Sequence, residues 1–102
     1  MTRREKIEQR LQEDPQDVFL NYSYAMELAK AGEIAEARER FAIVRSIDAD
    51  YVPAYFQEAQ MLASEGNNNE ARRIVTEGIE VARRVGDSHA LGEMTEFRDG
   101  LE

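Results

Sequence analysis

The chain has 102 residues, 42% hydrophobic and 33% charged: one small domain with a core, not two domains and not a disordered segment. Cysteine is absent and His89 is the single histidine, which removes disulfides, thiolate metal sites and multi-histidine centres. Against 21 acidic residues stand 13 Lys and Arg, a net charge of −8 whose overall field repels nucleic acid and anionic membranes unless a local basic patch overrides it.

The start Met1-Thr2-Arg3-Arg4 is basic, but polar residues follow it rather than an apolar leader. No run approaches the roughly 20 apolar residues of a membrane span. The expectation is a soluble, cytoplasmic protein. Thr2 and Glu5 have the spacing of a capping box, which predicts a short helix to about Glu13 with Ile7 and Leu11 as its apolar stripe.

Asp14-Pro15-Gln16-Asp17 reads as the next helix start, with Asp14 as cap and Pro15 at the first helical position. That helix runs to Ala31, where Gly32 ends it. Leu20, Tyr24, Ala25 and Leu28 form one apolar face; Phe19, Tyr22 and Met26 form a second. Asn21-Tyr22-Ser23 fits a glycosylation pattern, which without a secretion signal is chance. A third helix carries Ile34, Ala37, Phe41, Val44 and Ile47 on one face.

Asp50 and Pro53 open a fourth helix and Gly66 closes it. Asn67 and Glu70 form a capping box for a fifth, whose buried stripe is Ala71, Val75, Gly78, Ile79, Ala82 and Val85. Gly86 stops this helix, and Asp87-Ser88 cap a last one lined by Leu91, Met94, Phe97 and Leu101, with Glu93, Glu96 and Asp99 outside.

Shifting the chain by 34 positions pairs Val18 with Val52, Ala25 with Ala59, Leu28-Ala29 with Leu62-Ala63, Gly32 with Gly66, and Glu36-Ala37-Arg38 with Glu70-Ala71-Arg72. These are 8 identities in 33 pairs, where ordinary composition gives about two. The helix–turn–helix period with small residues at fixed places resembles the tetratricopeptide repeat (TPR) family, in a small two-repeat form of bacterial type. The first unit supplies Asn21, Tyr24, Ala25, Leu28, Ala37 and Phe41; the second supplies Tyr55, Glu58, Ala59, Leu62, Ala71 and Val75. Asn21, Glu58 and Val75 depart from the family's large aromatic, Leu and Phe. Close helix crossing at Ala25 with Ala37, and at Ala59 with Ala71, is expected of the small residues.

The resemblance implies an all-α, right-handed superhelix of helical hairpins in a single domain. Its parts are a terminal helix over 1–14, repeats over 15–48 and 49–86, and a capping helix over 87–102. It also implies a concave groove lined by the first helix of each repeat, in which a partner's peptide or helix binds. The groove residues are then Phe19, Tyr22, Ser23, Met26, Lys30, Phe56, Gln57 and Gln60, with Asn21, Gln57 and Gln60 offering hydrogen bonds to a bound backbone. Two readings of the apolar face stand side by side: a peptide site, or a core surface covered by the last helix. Self-association as a homodimer through the same face is the alternative function.

A carboxylate clamp of the kind some family members use has only Lys30 to offer here. Apolar anchors are therefore expected in the partner. The net charge favours a basic partner segment, or serves solubility alone. No catalytic, cofactor or metal residue is expected, and no enzyme activity. Asp87-Ser88-His89 is a helix cap rather than a triad, since adjacent side chains cannot form a relay. Arg72-Arg73 and Arg83-Arg84 recur on one helix, but Glu77 and Glu80 stand between them and no aromatics interleave, so RNA is not the expected ligand.

Overall fold

A computed structural model describes all 102 residues as six helices and no strand: α1 Arg3–Glu13, α2 Val18–Lys30, α3 Ile34–Ile47, α4 Val52–Ser64, α5 Asn68–Val85 and α6 Ser88–Asp99. The chain divides into two compact units, Met1–Asp48 and Ala49–Glu102. In the first, α2 packs against both α1 and α3; in the second, α5 packs against both α4 and α6.

Local chemistry explains most of the boundaries. Thr2 accepts from the Glu5 N–H while the Thr2 N–H donates to the Glu5 carboxylate, completing the capping box of α1. The Thr2 backbone bond holds the Glu5 carboxyl below its ordinary range. Gly32, Gly66 and Gly86 follow α2, α4 and α5 with φ near 80°, a conformation that a Cβ disfavours. Asn67 caps α5 through the Glu70 N–H, and Asp87 caps α6 through the Ala90 N–H.

Two starts differ from expectation. Asp14 does not cap α2: it ends α1, its N–H bonded to the Arg10 carbonyl, and Pro15-Gln16 form a turn. The cap is Asp17, which accepts from the Leu20 N–H at 2.8 Å. Asp14 lies three residues before the cap position, too far back for its side chain to meet the N–H groups of the first turn of α2. Asp50 does not cap α4 either. Tyr51 occupies the cap position with no side-chain cap bond, Pro53 lies in the first turn, and the Asp50 carboxylate pairs with Arg84 on α5.

In the first unit the core is Ile7 and Leu11 of α1, Ala25 and Leu28 of α2, and Ala37, Phe41 and Val44 of α3. In the second it is a larger cluster that includes Tyr55, Ala59, Leu62, Ala71, Ile74, Val75, Ile79, Ala82 and Met94. Ala25, Ala37, Ala59 and Ala71 are all fully buried, as helix crossings at small residues require. Val85 departs from the expected stripe: it is 44% exposed in the last position of α5, beyond the packed cluster. Gly78 is essential to the packing of the second unit. A Cβ there would lie 2.7 Å from the Tyr55 Cβ and 2.8 Å from the Met94 sulfur, closer than non-bonded carbon contacts allow.

Candidate functional site

The sequence places its candidate residues at equivalent positions of α2 and α4, but the two helices present them differently. On α2, Phe19 is 64% exposed. It borders a groove of about 340 Å³ between α1 and α2, lined by Arg3, Lys6, Ile7, Arg10, Phe19, Leu20 and Ser23. Ile7 and Ser23 are buried at its floor. A second hollow of about 350 Å³ adjoins it past Arg10, with Glu13, Asp14 and Asp17 on its walls and Phe19 and Leu20 shared.

Tyr22 and Met26 are half-buried, and Lys30 is exposed at the end of α2. The Tyr22 ring meets Phe41 edge-on, with centroids 6.4 Å apart, a favourable geometry for two aromatic quadrupoles. Tyr22 is thus tied to the core of its own unit, and Phe19 is the more available ring.

On α4, Phe56 stands 34 residues after Tyr22. It is half-buried against Phe97 of α6, with ring centroids 5.6 Å apart and planes at 73°. The surrounding hollow, about 510 Å³, is lined by Phe56, Glu93, Glu96, Phe97, Gly100 and Leu101. The last helix therefore packs on Phe56 in the second unit. Gln57 is half-buried and Gln60 exposed.

Asn21 cannot serve a bound backbone, contrary to expectation. It is fully buried, donates to the Pro15 and Asp17 carbonyls at 3.0 and 2.8 Å, and accepts from Arg40 at 2.8 Å. Every hydrogen-bonding group it could offer is occupied within the unit, and a glycan has no access. The equivalent residue of the next repeat, Tyr55, donates from its hydroxyl to the Ala49 carbonyl at 2.8 Å. Pro15 and Ala49 are themselves 34 apart. Two different side chains thus tie the same repeat position to the same loop carbonyl.

Around Asn21 lies a polar network that hydropathy alone does not reveal. The Tyr24 hydroxyl donates to Glu8 at 2.9 Å. The Arg40 and Arg4 guanidinium carbons lie 4.9 and 5.8 Å from the Tyr24 ring centroid, within cation–π range. Burial and then the Glu8 bond raise the Tyr24 hydroxyl pKa above its usual value. Arg4 also pairs with Glu33, which raises its pKa and keeps it charged. In the second unit Glu58, 34 after Tyr24, is 1% exposed and is held by partners of its own.

The remaining charged features are structural. Arg73 pairs with Glu70 and Glu77, Arg83 with Glu80, and Arg84 with Asp50. Arg72 donates to the carbonyls of Leu101 and Glu102. Each arginine of α5 therefore has a hydrogen-bonding partner within its own unit. His89 lies exposed, 3.3 Å from Glu93, and Asp87 caps α6. No three His, Cys, Asp or Glu side chains are placed to hold a metal ion. No helix is long and apolar enough to cross a membrane.

No protein-family model and no curated protein matches the chain. Solved structures do. The solution structure of a TPR domain protein from Salinibacter ruber is 29% identical over 83% of this chain and 86% of its own, with a TM-score of 0.76. A Bordetella parapertussis protein superposes over 97% of this chain and 86% of its own, at 19% identity and a TM-score of 0.84. YrrB, described as a TPR protein with an unusual peptide-binding site, is 19% identical over 88% of this chain and 45% of its own, at a TM-score of 0.76. The latter two likenesses are of fold. With its 34-residue period, its buried alanines and its six helices, the chain is a small protein of the tetratricopeptide-repeat type.

Proposed function

We propose that the chain is a protein-interaction module, without catalytic chemistry of its own, that holds a peptide or helix of a partner on the outward face of α2. Phe19 is the principal apolar anchor, with Tyr22, Ser23, Met26 and Lys30 along the same helix. Phe56, Gln57 and Gln60 are the corresponding residues of α4. The observation that carries the reading is a phenylalanine 64% exposed beside an open groove, on a helix whose opposite face is already buried. A helix that has satisfied its core and still offers a large ring has binding surface to spare. The peptide-binding site attributed to YrrB supports the same class of work.

The test is a selection from a displayed random peptide library on the immobilised protein. Enrichment of sequences with an aromatic or aliphatic anchor is expected, and Phe19→Ala loses them while its melting temperature is unchanged. Retention of every selected peptide by Phe19→Ala contradicts the reading. If Phe19→Ala lowers the melting temperature substantially, the ring is part of the core instead.

A further inference from the structure

The α1–α2 groove has a charge opposite to that of the molecule. Arg3, Lys6 and Arg10 line one wall, and their spacing of three and four residues places them on one face of α1. Most cations elsewhere in the chain are engaged. Arg4, Arg73, Arg83 and Arg84 pair with carboxylates, and Arg40 and Arg72 donate to amide or carbonyl oxygens. Arg38 and Arg45 also have partners. Lys6 and Arg10 have no ion pair, although the chain holds 21 carboxylates. Arg3 has only a loose one, 3.6 Å from Glu27, and is 72% exposed. Two unpaired cations thus share one groove wall with the most exposed aromatic ring that lines a groove.

We propose that this groove is an acidic-segment site: it takes a partner polypeptide carrying several Asp or Glu residues beside an apolar anchor. The carboxylates lie along Arg3, Lys6 and Arg10, and the anchor packs on Phe19 and Leu20. The site is directional. Glu13, Asp14 and Asp17 line the hollow that continues past Arg10, so the part of the segment beyond Phe19 must be neutral or basic. Asp17 is also committed to the α2 cap. The local field therefore reverses the preference for a basic partner that the net charge of −8 suggests. The opposite preference belongs to the hollow at Phe56, which Glu93 and Glu96 flank.

This inference rests on the proposed binding function and names the partner chemistry of the same α2 face. Its test uses three fluorescent peptides of about a dozen residues, long enough to span such a groove. Each carries one phenylalanine beside a run of glutamate, of glutamine or of lysine. The glutamate peptide is expected to bind most tightly. Lys6→Glu with Arg10→Glu should weaken it by about ten-fold, the sum of two partly exposed ion pairs. The same change should strengthen binding of the lysine peptide. Raising salt should weaken the glutamate peptide and leave the glutamine one nearly unmoved. Both variant positions are exposed, and circular dichroism checks that the helices persist.

If the glutamine or lysine peptide binds as well as the glutamate one, and Phe19→Ala abolishes that binding, the acidic-segment site is refuted while the interaction face stands. If no peptide binds, the acidic-segment site is refuted. The library selection on Phe19 then decides separately whether the face binds anything. If sedimentation shows self-association that Lys6→Glu with Arg10→Glu removes, the occupant is the acidic surface of a second copy, and a separate partner is ruled out.

Discussion

The two compact units are built on one repeat and have spent it differently. Unit Met1–Asp48 has 8 cationic and 10 acidic residues, net −2; unit Ala49–Glu102 has 5 and 11, net −6. The first unit supports its middle helix with a polar network of Glu8, Tyr24, Arg40 and Asn21, and leaves Phe19 in solvent. The second has Tyr55 and Ile74, both buried in its core, at the positions of Asn21 and Arg40, and sets Phe97 against Phe56. Of the 20 buried hydrophobic residues, 7 lie in the first unit and 13 in the second. The lesson is that a repeat fixes backbone geometry while leaving each copy free to trade core for surface. Here the second copy buries the larger core and the first leaves the more exposed aromatic ring.

Core truncation should separate the two units most strongly. Phe41→Ala removes the largest fully buried side chain and should cost about 3–5 kcal/mol. Amide exchange should show Met1–Asp48 losing protection before Ala49–Glu102. Equal loss in both would mean that the smaller core does not limit the first unit. Next come the two helical glycines. Gly78→Ala should destabilise by about 1–3 kcal/mol through overpacking against Tyr55 and Met94. Gly92→Ala meets nothing within 4 Å and should stabilise by about 0.5–1 kcal/mol, the helix-propensity gain. Denaturant midpoints give the signs, and the same sign for both would refute the close approach at Gly78.

Two further substitutions probe the paired loop ties. Tyr55→Phe deletes the bond to Ala49 and should cost about 1 kcal/mol. Asn21→Ala should cost more, up to about 3 kcal/mol, because it strands the Pro15 carbonyl and removes the Arg40 acceptor, while the Asp17 carbonyl keeps the backbone N–H of residue 21. The smallest effect is a pH dependence of α1. The folded Glu5 carboxyl is lowered by its Thr2 bond, so its contribution is present above the ordinary carboxylate range. It is lost as pH falls through the depressed folded value. Helicity of the α1 amides followed by NMR during acid titration should show this loss in the wild type and not in Glu5→Gln.

What could be read from the chain depended on range. The capping box of Thr2 and Glu5 and the terminators Gly32, Gly66 and Gly86 act within a turn or two, and the residue types alone report them. The 34-residue period carried the fold because hairpin packing repeats with it. Asp14 and Asp50 misled because a carboxylate before a helix has more than one use. Asp14 closes the preceding helix, and Asp50 is taken by Arg84 from a distant turn. Asn21 looked available because residue type alone does not show its amide turned back onto the Pro15 and Asp17 carbonyls, or its oxygen met by Arg40 from another helix. The cationic wall of the groove went unread, although Arg3, Lys6 and Arg10 stand at helical spacing. Its pairing with Phe19 requires knowing which side of α1 meets α2.

The most direct test of the division of labour is amide chemical-shift mapping with a library-selected peptide. The account predicts perturbations concentrated along Arg3–Arg10 and Val18–Lys30, with the amides around Phe56 and Phe97 little changed. Perturbations centred on Phe56 and Phe97, with the first unit silent, would contradict it.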